Sequence, residues 1–589
     1  MNNRLFLPIL IATALFVITL IFYGQAALNL PILFNLDNQN NYAATRYIAE
    51  NNKIPIVDKD TKDIEFSEFG TTRSLRPPFT YIVTAIVSNL SLRFISLEDA
   101  LNESVIRYRL GSSLIGALTV SISFIGFWIA FNHIGLAFFG SLLIALLPKF
   151  IFLTSSNNDD IGALLSVSLL FTSTLALLKY RRHSWALLPI ALSTGLVLQT
   201  KYTAWLTLPW FGVFCLILVK SNWRKVAKML PLLIVTCLLS GGWWLIFNMT
   251  NYGLSDPTAL KHSAAIQHSL MDGIPNREGY SSQDVGYIDL LSNYDQFLSK
   301  SYRSFIGYIE WLELDIGNNL YLFYATIFLV GILAAVFRSH NSHKKTVYLD
   351  YLILIIIVNQ LLFYIHHNWL RDIQPQARYV LPILMPLVYL FLRCLHQLPQ
   401  GLIWLTYKDK VISTLTITSC TLSLIFVILF NHSWSHHIVP SYEVKPYFTS
   451  ISNEKRIGIN DAFKIISSNS LEYKFINSTL ELQRTAGGSS TLELDSSFCE
   501  LLPLNALIIA DVFTPTNGGF DLRIQRQENQ RFKDIIWHPL TIGNSTAVLS
   551  VNSKNCTGAK ISLSKNTHQL TLKNLQIREL KIHEHGKPI

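Results

Sequence analysis

Charge is what this sequence has least of. Asp, Glu, Lys and Arg make up 15% of the 589 residues, against roughly a quarter in a soluble globular protein. Half of the residues are hydrophobic and the mean hydropathy is +0.33, which excludes a soluble enzyme and equally a disordered or fibrous chain. Cysteine is scarce too: six residues are too few for a disulfide scaffold. Four of them, Cys215, Cys237, Cys394 and Cys420, lie in apolar runs as small hydrophobes. There is no internal repeat, no low-complexity tract, and no small-x-small cleavage site leading into a polar mature region after the first apolar run, so that run reads as an anchor. The net charge of +10 needs no nucleic-acid partner, because much of the basic excess sits in short loops between apolar runs.

What is present is a succession of uncharged apolar stretches. They lie near 5–30, 110–131, 161–178, 184–200, 203–219, 229–249, 319–337, 347–366, 379–396 and 411–430, with another at 136–155 interrupted only by Lys149. Each approaches the roughly 20 residues that cross a bilayer as a helix. The expected fold class is therefore a polytopic α-helical membrane protein with about eleven transmembrane helices. Basic residues test the count. Lys179, Arg181 and Arg182, then Lys220, Arg224, Lys225 and Lys228, then Arg338, Lys344 and Lys345, then Arg393, Lys408 and Lys410 fall on alternate loops, which are the cytoplasmic ones. The N-terminus is then cytoplasmic, and 31–104, 250–318, 367–378 and everything after 430 lie on the extracytoplasmic face. Runs 184–200 and 203–219 are separated only by a tight turn at Lys201; fusing them would move every later loop to the other side.

The first outer segment carries an amphipathic patch, Tyr42, Arg46, Tyr47 and Ile48, and Pro77-Pro78-Phe79 opens a further apolar stretch to Leu92. Helices of this kind lie along the membrane interface, either as a structural cap or as a roof over a substrate. From about 435 the pattern changes to alternating apolar and polar residues, as in Phe520-Asp521-Leu522-Arg523-Ile524 and Leu570-Thr571-Leu572-Lys573-Asn574-Leu575. This predicts a C-terminal extracytoplasmic β-sandwich. The domains expected are 1–434, transmembrane with outer loops 31–104 and 250–318, and 435–589, β-rich. Cys499 and Cys556 both fall in the second, where the oxidising compartment favours one disulfide between them.

Ionisable groups at span ends are costly to desolvate and mark functional candidates. Asp37 follows the first span, Asn157-Asn158-Asp159-Asp160 stands where one span emerges and the next re-enters, and Lys149, Lys201 and Arg378 supply cations. Counting crossings puts Asp37, Asp159, Asp160, Lys201 and Arg378 on one face. Carboxylates and cations at one non-cytoplasmic cavity suit transfer from a phosphate-linked donor to a hydroxyl or amine, with one Asp as general base and the cations holding the departing phosphate. Nucleotide sugars are not supplied on that face, whereas a polyprenyl-phosphate sugar resides in the bilayer itself. The same residues also fit plainer roles: Asn157 to Asp160 as a helix N-cap, and Lys149, Lys201 and Arg378 as interface-snorkelling side chains. His262, His268, His366 and His367 lack metal-site spacing.

In order, the first apolar helix, Asp37, Arg76-Pro77-Pro78-Phe79-Thr80-Tyr81, Pro148-Lys149-Phe150-Ile151-Phe152, Asn157 to Asp160, Gln199-Thr200-Lys201-Tyr202 and Ala377-Arg378-Tyr379 form a familiar series. Residues 1 to 430 or so resemble the GT-C superfamily of integral membrane glycosyltransferases, in particular bacterial relatives of the protein O-mannosyltransferases and the lipid A aminoarabinose transferases. The resemblance implies an inner-membrane enzyme that takes a sugar from a polyprenyl-phosphate donor to a glycan, lipid or protein acceptor. It implies Asp37 as base, Asp159 or Asp160 as organiser of the acceptor or of a divalent metal, and Lys201 and Arg378 as phosphate contacts. One departure is evident: relatives commonly carry Asp-Glu at the first site, whereas here Asp37 is followed by Asn38, leaving one carboxylate. Two other classes compete with this reading. A transporter or flippase of lipid-linked glycans would place its charges near the bilayer midplane; an inactive anchor would only present the β-sandwich as a glycan-binding module.

Overall fold

The protein is described from a computed structural model. The structure describes residues 3–29, 38–60, 64, 71–91, 100–180, 183–219, 223–270, 279–307, 316–337, 344–401, 408–433, 451–456, 465–469, 471–476, 479–485, 490–501, 505–514, 518–526, 529–540, 543–552, 556–563 and 569–580. The chain divides into two compact units. The first comprises Met1–Asn41, Pro77–Pro257 and Asn276–Val439; the second comprises Tyr42–Arg76, Thr258–Pro275 and Pro440–Ile589.

The first unit is helical, as its long apolar runs require, because a segment in lipid must satisfy its backbone groups internally. Along the chain come α1 (Asn3–Asn29), α2 (Asn38–Asn51, in the second unit from Tyr42 on), α3 (Phe79–Ser91), α4 (Ala100–Phe131), α5 (Ile134–Ala145), α6 (Pro148–Thr154) and α7 (Asp160–Tyr180). They are followed by α8 (Leu188–Leu198), α9 (Tyr202–Trp205), α10 (Leu208–Val219), α11 (Trp223–Cys237), α12 (Trp243–Tyr252) and, in the second unit, α13 (Leu260–Leu270). The remainder are α14 (Tyr287–Leu291), α15 (Phe297–Ile306), α16 (Asn318–Val336), α17 (Lys344–Leu370), α18 (Leu384–Gly401) and α19 (Lys408–Ser433). α4 lies centrally, packed against α1, α3, α5 and α7.

Among the described residues nine helices are long and apolar enough to cross a membrane: Phe6–Leu28, Arg107–Phe131, Asp160–Tyr180, Tyr202–Val219, Val226–Tyr252, Asn318–Val336, Thr346–Leu370, Ala377–Gln397 and Thr414–His432. The protein is thus a multi-pass α-helical membrane protein. Two of the expected runs take other forms. Run 136–155 is a bent pair, α5 and α6 meeting at 67°, because Pro148 has no N–H to continue the ladder. The carbonyls at that bend are met from elsewhere: the Tyr23 hydroxyl donates to Ala145 O at 2.8 Å and the Tyr324 hydroxyl to Leu143 O at 2.7 Å. Run 184–200 holds only the shorter apolar helix Trp185–Leu198.

α8 approaches the chain between α11 and α12 at backbone distance. That connection is the single π-turn Leu238–Gly242, and it meets α8 glycine to glycine. A Cβ on Gly241 would lie 1.9 Å from Gly195 O, and one on Gly195 would lie 2.0 Å from Ser240 Oγ and 2.2 Å from Cys237 O. Small residues are what allow helix backbones in a membrane to come this close.

The β-rich part of the second unit holds two antiparallel sheets. One has strand order β3 (Leu471–Ile476), β4 (Thr479–Arg484), β11 (Gln569–Leu580), β6 (Asn505–Thr514), β9 (Gly543–Asn552), with β1 (Ile451–Arg456) pairing β11. The other runs β2 (Ile465–Asn469), β5 (Ser490–Leu494), β10 (Cys556–Leu563), β7 (Gly518–Arg526), β8 (Asn529–Leu540). Alternation decides which side chains are inside: Leu480, Leu482, Leu570 and Leu572 of the first sheet and Leu492, Leu494, Ile561 and Leu563 of the second belong to one buried cluster. Cys499, in the short helix α20 (Ser497–Leu501), is bonded to Cys556 of β10.

Candidate active site

Four of the ionisable residues singled out from the sequence meet at one end of the helical unit. α7 begins at Asp160, and the turn before it is held from three sides. Ser113 Oγ donates to Thr154 O at 2.9 Å, Asn41 Nδ2 donates to Asn157 O at 2.9 Å, and Asn158 Oδ1 accepts from the Asp160 N–H at 2.8 Å. Asn158 is therefore the residue that satisfies a free N–H at the start of α7, and the two aspartate side chains are available for other partners.

Those partners arrive from two further segments. α8 ends at Leu198; Gln199 O accepts the Phe79 N–H at 3.1 Å, tying the start of α3 to the segment that carries Lys201. The Lys201 ammonium lies 3.0 Å from Asp159 Oδ1 and 2.7 Å from Asp160 Oδ1. Arg378 stands in a 3-10 turn, Ala377–Ile383, whose first N–H donates to Ser304 Oγ at 2.7 Å, and its Nε lies 3.7 Å from Asp160 Oδ2. Tyr379 supplies a ring face to both cations, 4.9 Å from Lys201 Nζ and 5.3 Å from Arg378 Cζ. Its hydroxyl donates to Gln374 Oε1 at 2.5 Å. On the opposite side, the Tyr81 hydroxyl lies 3.3 Å from Asp159 Oδ2 and 3.1 Å from Asn41 Oδ1. α3 brings Tyr81 there by seating Thr80 in the notch left by Gly162 of α7 and Thr84 in that left by Gly111 of α4.

Asp160 is 1% exposed, Lys149 3% and Lys201 9%. Charges so buried persist only when paired. Burial works against the Lys201 ammonium, but Asp159 and Asp160 outweigh it and hold the group above the ordinary lysine range. Lys149, on α6, lies within electrostatic reach of both Arg378 and Asp160, with its Nζ 5.5 Å from the Phe152 ring centre. Among these residues two paired cations, Lys201 and Arg378, face two carboxylates in a buried cluster, with Lys149 as a third basic side chain beside them. Such an arrangement can take up an anion whose oxygens accept from Lys and Arg, and a carboxylate that gives up its cation to that anion becomes free to accept a proton.

Asp159, Asp160, Lys201 and Arg378 are thus together, and Lys149 is near them; Asp37 lies outside the described residues. Lys201 and Arg378 do not snorkel to an interface. They are buried in the cluster itself. Several members have no assigned role in the sequence reading: Asn41, Tyr81, Gln374 and Tyr379, although Tyr81 and Tyr379 stand inside the segments Arg76 to Tyr81 and Ala377 to Tyr379. Among the described residues no group of three or more His, Cys, Asp or Glu is arranged to hold a metal ion.

No family model and no curated protein matches the chain. Among solved structures it is similar to ArnT from Cupriavidus metallidurans bound to undecaprenyl phosphate, at 16% identity and a TM-score of 0.43, covering 69% of this chain and 63% of that one. It is similar also to the same protein in the apo state, at 14% identity and a TM-score of 0.43, covering 74% and 81%. The chain spans less than two thirds of the first of these. A shorter stretch is similar to CBM29_1, a family 29 carbohydrate binding module from Piromyces equi, at 11% identity and a TM-score of 0.19, covering 22% of this chain and 91% of that one.

Proposed function

We propose that the protein is a membrane glycosyltransferase that moves a sugar from a polyprenyl-phosphate donor to an acceptor on the extracytoplasmic side, and that its chain makes eleven passages. The observation that carries the chemistry is the buried set Asp159, Asp160, Lys201 and Arg378, with Lys149 beside it. Basic side chains buried at the end of a membrane bundle suit a phosphate attached to a lipid, since such a head group reaches them without leaving the bilayer.

In the reaction we envisage, the acceptor oxygen attacks the anomeric carbon as its O–H proton passes to an aspartate. The bond from that carbon to the phosphate oxygen breaks with its electron pair staying on the oxygen, and polyprenyl phosphate departs held by Lys201, Arg378 and Lys149. Attack opposite the leaving group inverts the anomeric carbon. Asp37 is the base in this scheme, and Asp159 and Asp160 orient the acceptor once Lys201 turns to the phosphate.

Sidedness follows from parity. Asp160 begins α7 and contacts Lys201, so the chain must return between Tyr180 and Lys201 the whole length that α7 has covered, about 32 Å. Only Trp185–Leu198 is available for that return, which supports counting it as a passage although it is short. With the bent pair α5–α6 also one passage, the total is eleven, and the short loops rich in Lys and Arg, after Lys179, Lys220, Arg338 and Arg393, fall at the end away from the cluster, the cytoplasmic one by the positive-inside rule. The two sheets of the second unit, which share one core, we read as an extracytoplasmic sandwich.

The test is transfer in proteoliposomes from a panel of labelled polyprenyl-phosphate sugars into membrane acceptors. Asp37→Asn is expected to fold and to bind polyprenyl phosphate like the wild type while losing at least about a hundredfold in turnover, the typical worth of a positioned base. Near-normal transfer by that variant removes the base assignment. Lys201→Met is expected to lose polyprenyl-phosphate binding, and unchanged binding removes the phosphate assignment.

A further inference from the structure

A second polar feature lies against the cluster and takes no part in the charge pairing. Gln360, midway along α17, is 2% exposed inside the span Thr346–Leu370. Its amide donates to Tyr379 O at 2.9 Å and to Thr203 O at 3.3 Å. Both partners are carbonyls, so both must be met by N–H, and this fixes which end of the amide is oxygen. The arrangement straps together the two segments that deliver the cations, since Tyr379 follows Arg378 and Thr203 lies two residues past Lys201. Among the described residues it also leaves Gln360 Oε1 buried without a donor, and Thr203 Oγ1, on the residue just bonded, buried without any partner as well. The usual outlet for a helical threonine hydroxyl, the carbonyl four residues back, is Gln199 O, which the Phe79 N–H already uses.

Two unmet oxygens on neighbouring residues are expensive in a membrane interior, where no water is at hand to satisfy them. Polar atoms left so call for a partner that the described part of the protein does not itself supply. We infer that Gln360 Oε1 and Thr203 Oγ1 form a hydroxyl-binding subsite, at which the sugar carried by the lipid phosphate donates its O–H groups. This rests on the function proposed above, and it adds that the pair recognises the sugar rather than the phosphate: Gln360 Oε1 can only accept, so it repels a phosphate anion and attracts a hydroxyl, and the Thr203 hydroxyl beside it can accept from or donate to the same sugar. A site built to hydrogen-bond a hydroxyl rejects ligands lacking it, so this subsite would make the protein prefer a loaded carrier to a spent one.

The test compares two probes on the full-length protein in detergent: undecaprenyl phosphate, and undecaprenyl phosphate bearing each of a panel of hexoses and pentoses. The wild type is expected to bind at least one sugar-bearing probe more tightly than the bare lipid phosphate. Thr203→Val keeps shape and removes only the hydroxyl. It is expected to weaken that probe about tenfold, the worth of one hydrogen bond lost at a buried site, and to leave undecaprenyl phosphate binding and thermal stability unchanged. Thr203→Ser, which keeps the hydroxyl, is expected to bind both probes like the wild type. A Gln360→Met variant should also lose the preference, and Thr203→Val guards against its strap being needed for folding. The inference is overturned if Thr203→Val weakens both probes equally or neither, or if the wild type binds no sugar-bearing probe more tightly than the bare phosphate. The proposed function itself fails in a different way, by a wild type that binds neither probe.

Discussion

A single lysine shared by two aspartates is the centre of the site. Lys201 stands within 3.0 Å of Asp159 and 2.7 Å of Asp160, so each carboxylate is stabilised by a charge that, in the reaction proposed, it releases to the phosphate. Asp160→Asn is expected to destabilise the protein by up to about 3–5 kcal/mol, as for removal of one partner from a buried ion pair. Asp159 still faces Lys201 in that variant, so the loss should be the smaller part of this range, read as a lowered melting temperature in detergent. A pH series tests the cation. A lysine raised above its ordinary range contributes stability that is complete below the unfolded-state value and is lost only as pH rises through the folded-state value. Lys201 is therefore expected to stay charged from about pH 6 to 9, and polyprenyl-phosphate binding should show no alkaline fall in that window that Lys201→Arg abolishes. At this scale the sequence marks candidates and is silent about how they pair. Asp159, Asp160, Lys201 and Arg378 stand out because ionisable groups at span ends are costly. Which carboxylate meets which cation depends on turns such as Asn157-Asn158, whose side chains have several satisfactory conformations when read alone. Gln360 gives only the weak signal of an amide inside an apolar run.

The elements that deliver these residues are irregular ones. α6 exists because Pro148 ends α5 and the chain restarts at 67°, which keeps Lys149 at the cluster. The proline is plain in the sequence, but the tyrosines that complete the bend come from α1 and α16, 122 and 181 residues away from their partners, a separation no local pattern can reveal. The same holds where α8 meets the π-turn. Gly195 has no room for a Cβ, because Cys237 O and Ser240 Oγ occupy its place, and this contact fixes the end of α8 from which the segment Gln199 to Lys201 departs. Gly195→Ala is expected to force the two backbones apart at a cost of about 1–3 kcal/mol and to shift Lys201 with them. The check is a lowered melting temperature together with weaker undecaprenyl phosphate binding; a variant that melts and binds like the wild type would show that the close approach does not position the lysine.

For the molecule as a whole, the two units respond to different agents. The Cys499–Cys556 bond closes a 57-residue separation within the β-rich part of the second unit, and losing a link of that span costs about 4 kcal/mol in the chain-entropy account. A reductant is therefore expected to lower the melting of the strands and leave that of the helices in place, read by following a strand and a helix probe in the same sample. Sidedness is the larger question. The apolar runs are legible in the sequence because lipid demands about 20 apolar residues per crossing. Helix Trp185–Leu198, at about 21 Å, falls short of a full hydrocarbon core, and the contact between Lys201 and Asp160 is what argues that it crosses. If it does, single cysteines placed in the loops after Val336 and after Gly401, in a background whose four unpaired cysteines are replaced, should react with a membrane-impermeant maleimide only in inverted vesicles, and cysteines placed after Leu370 only in intact cells. Were Trp185–Leu198 to stay on one side, every loop after it would change sides. The two sets would then exchange their labelling, the basic loops would lie outside, and a donor phosphate site open to the cytoplasm would have to replace the one proposed.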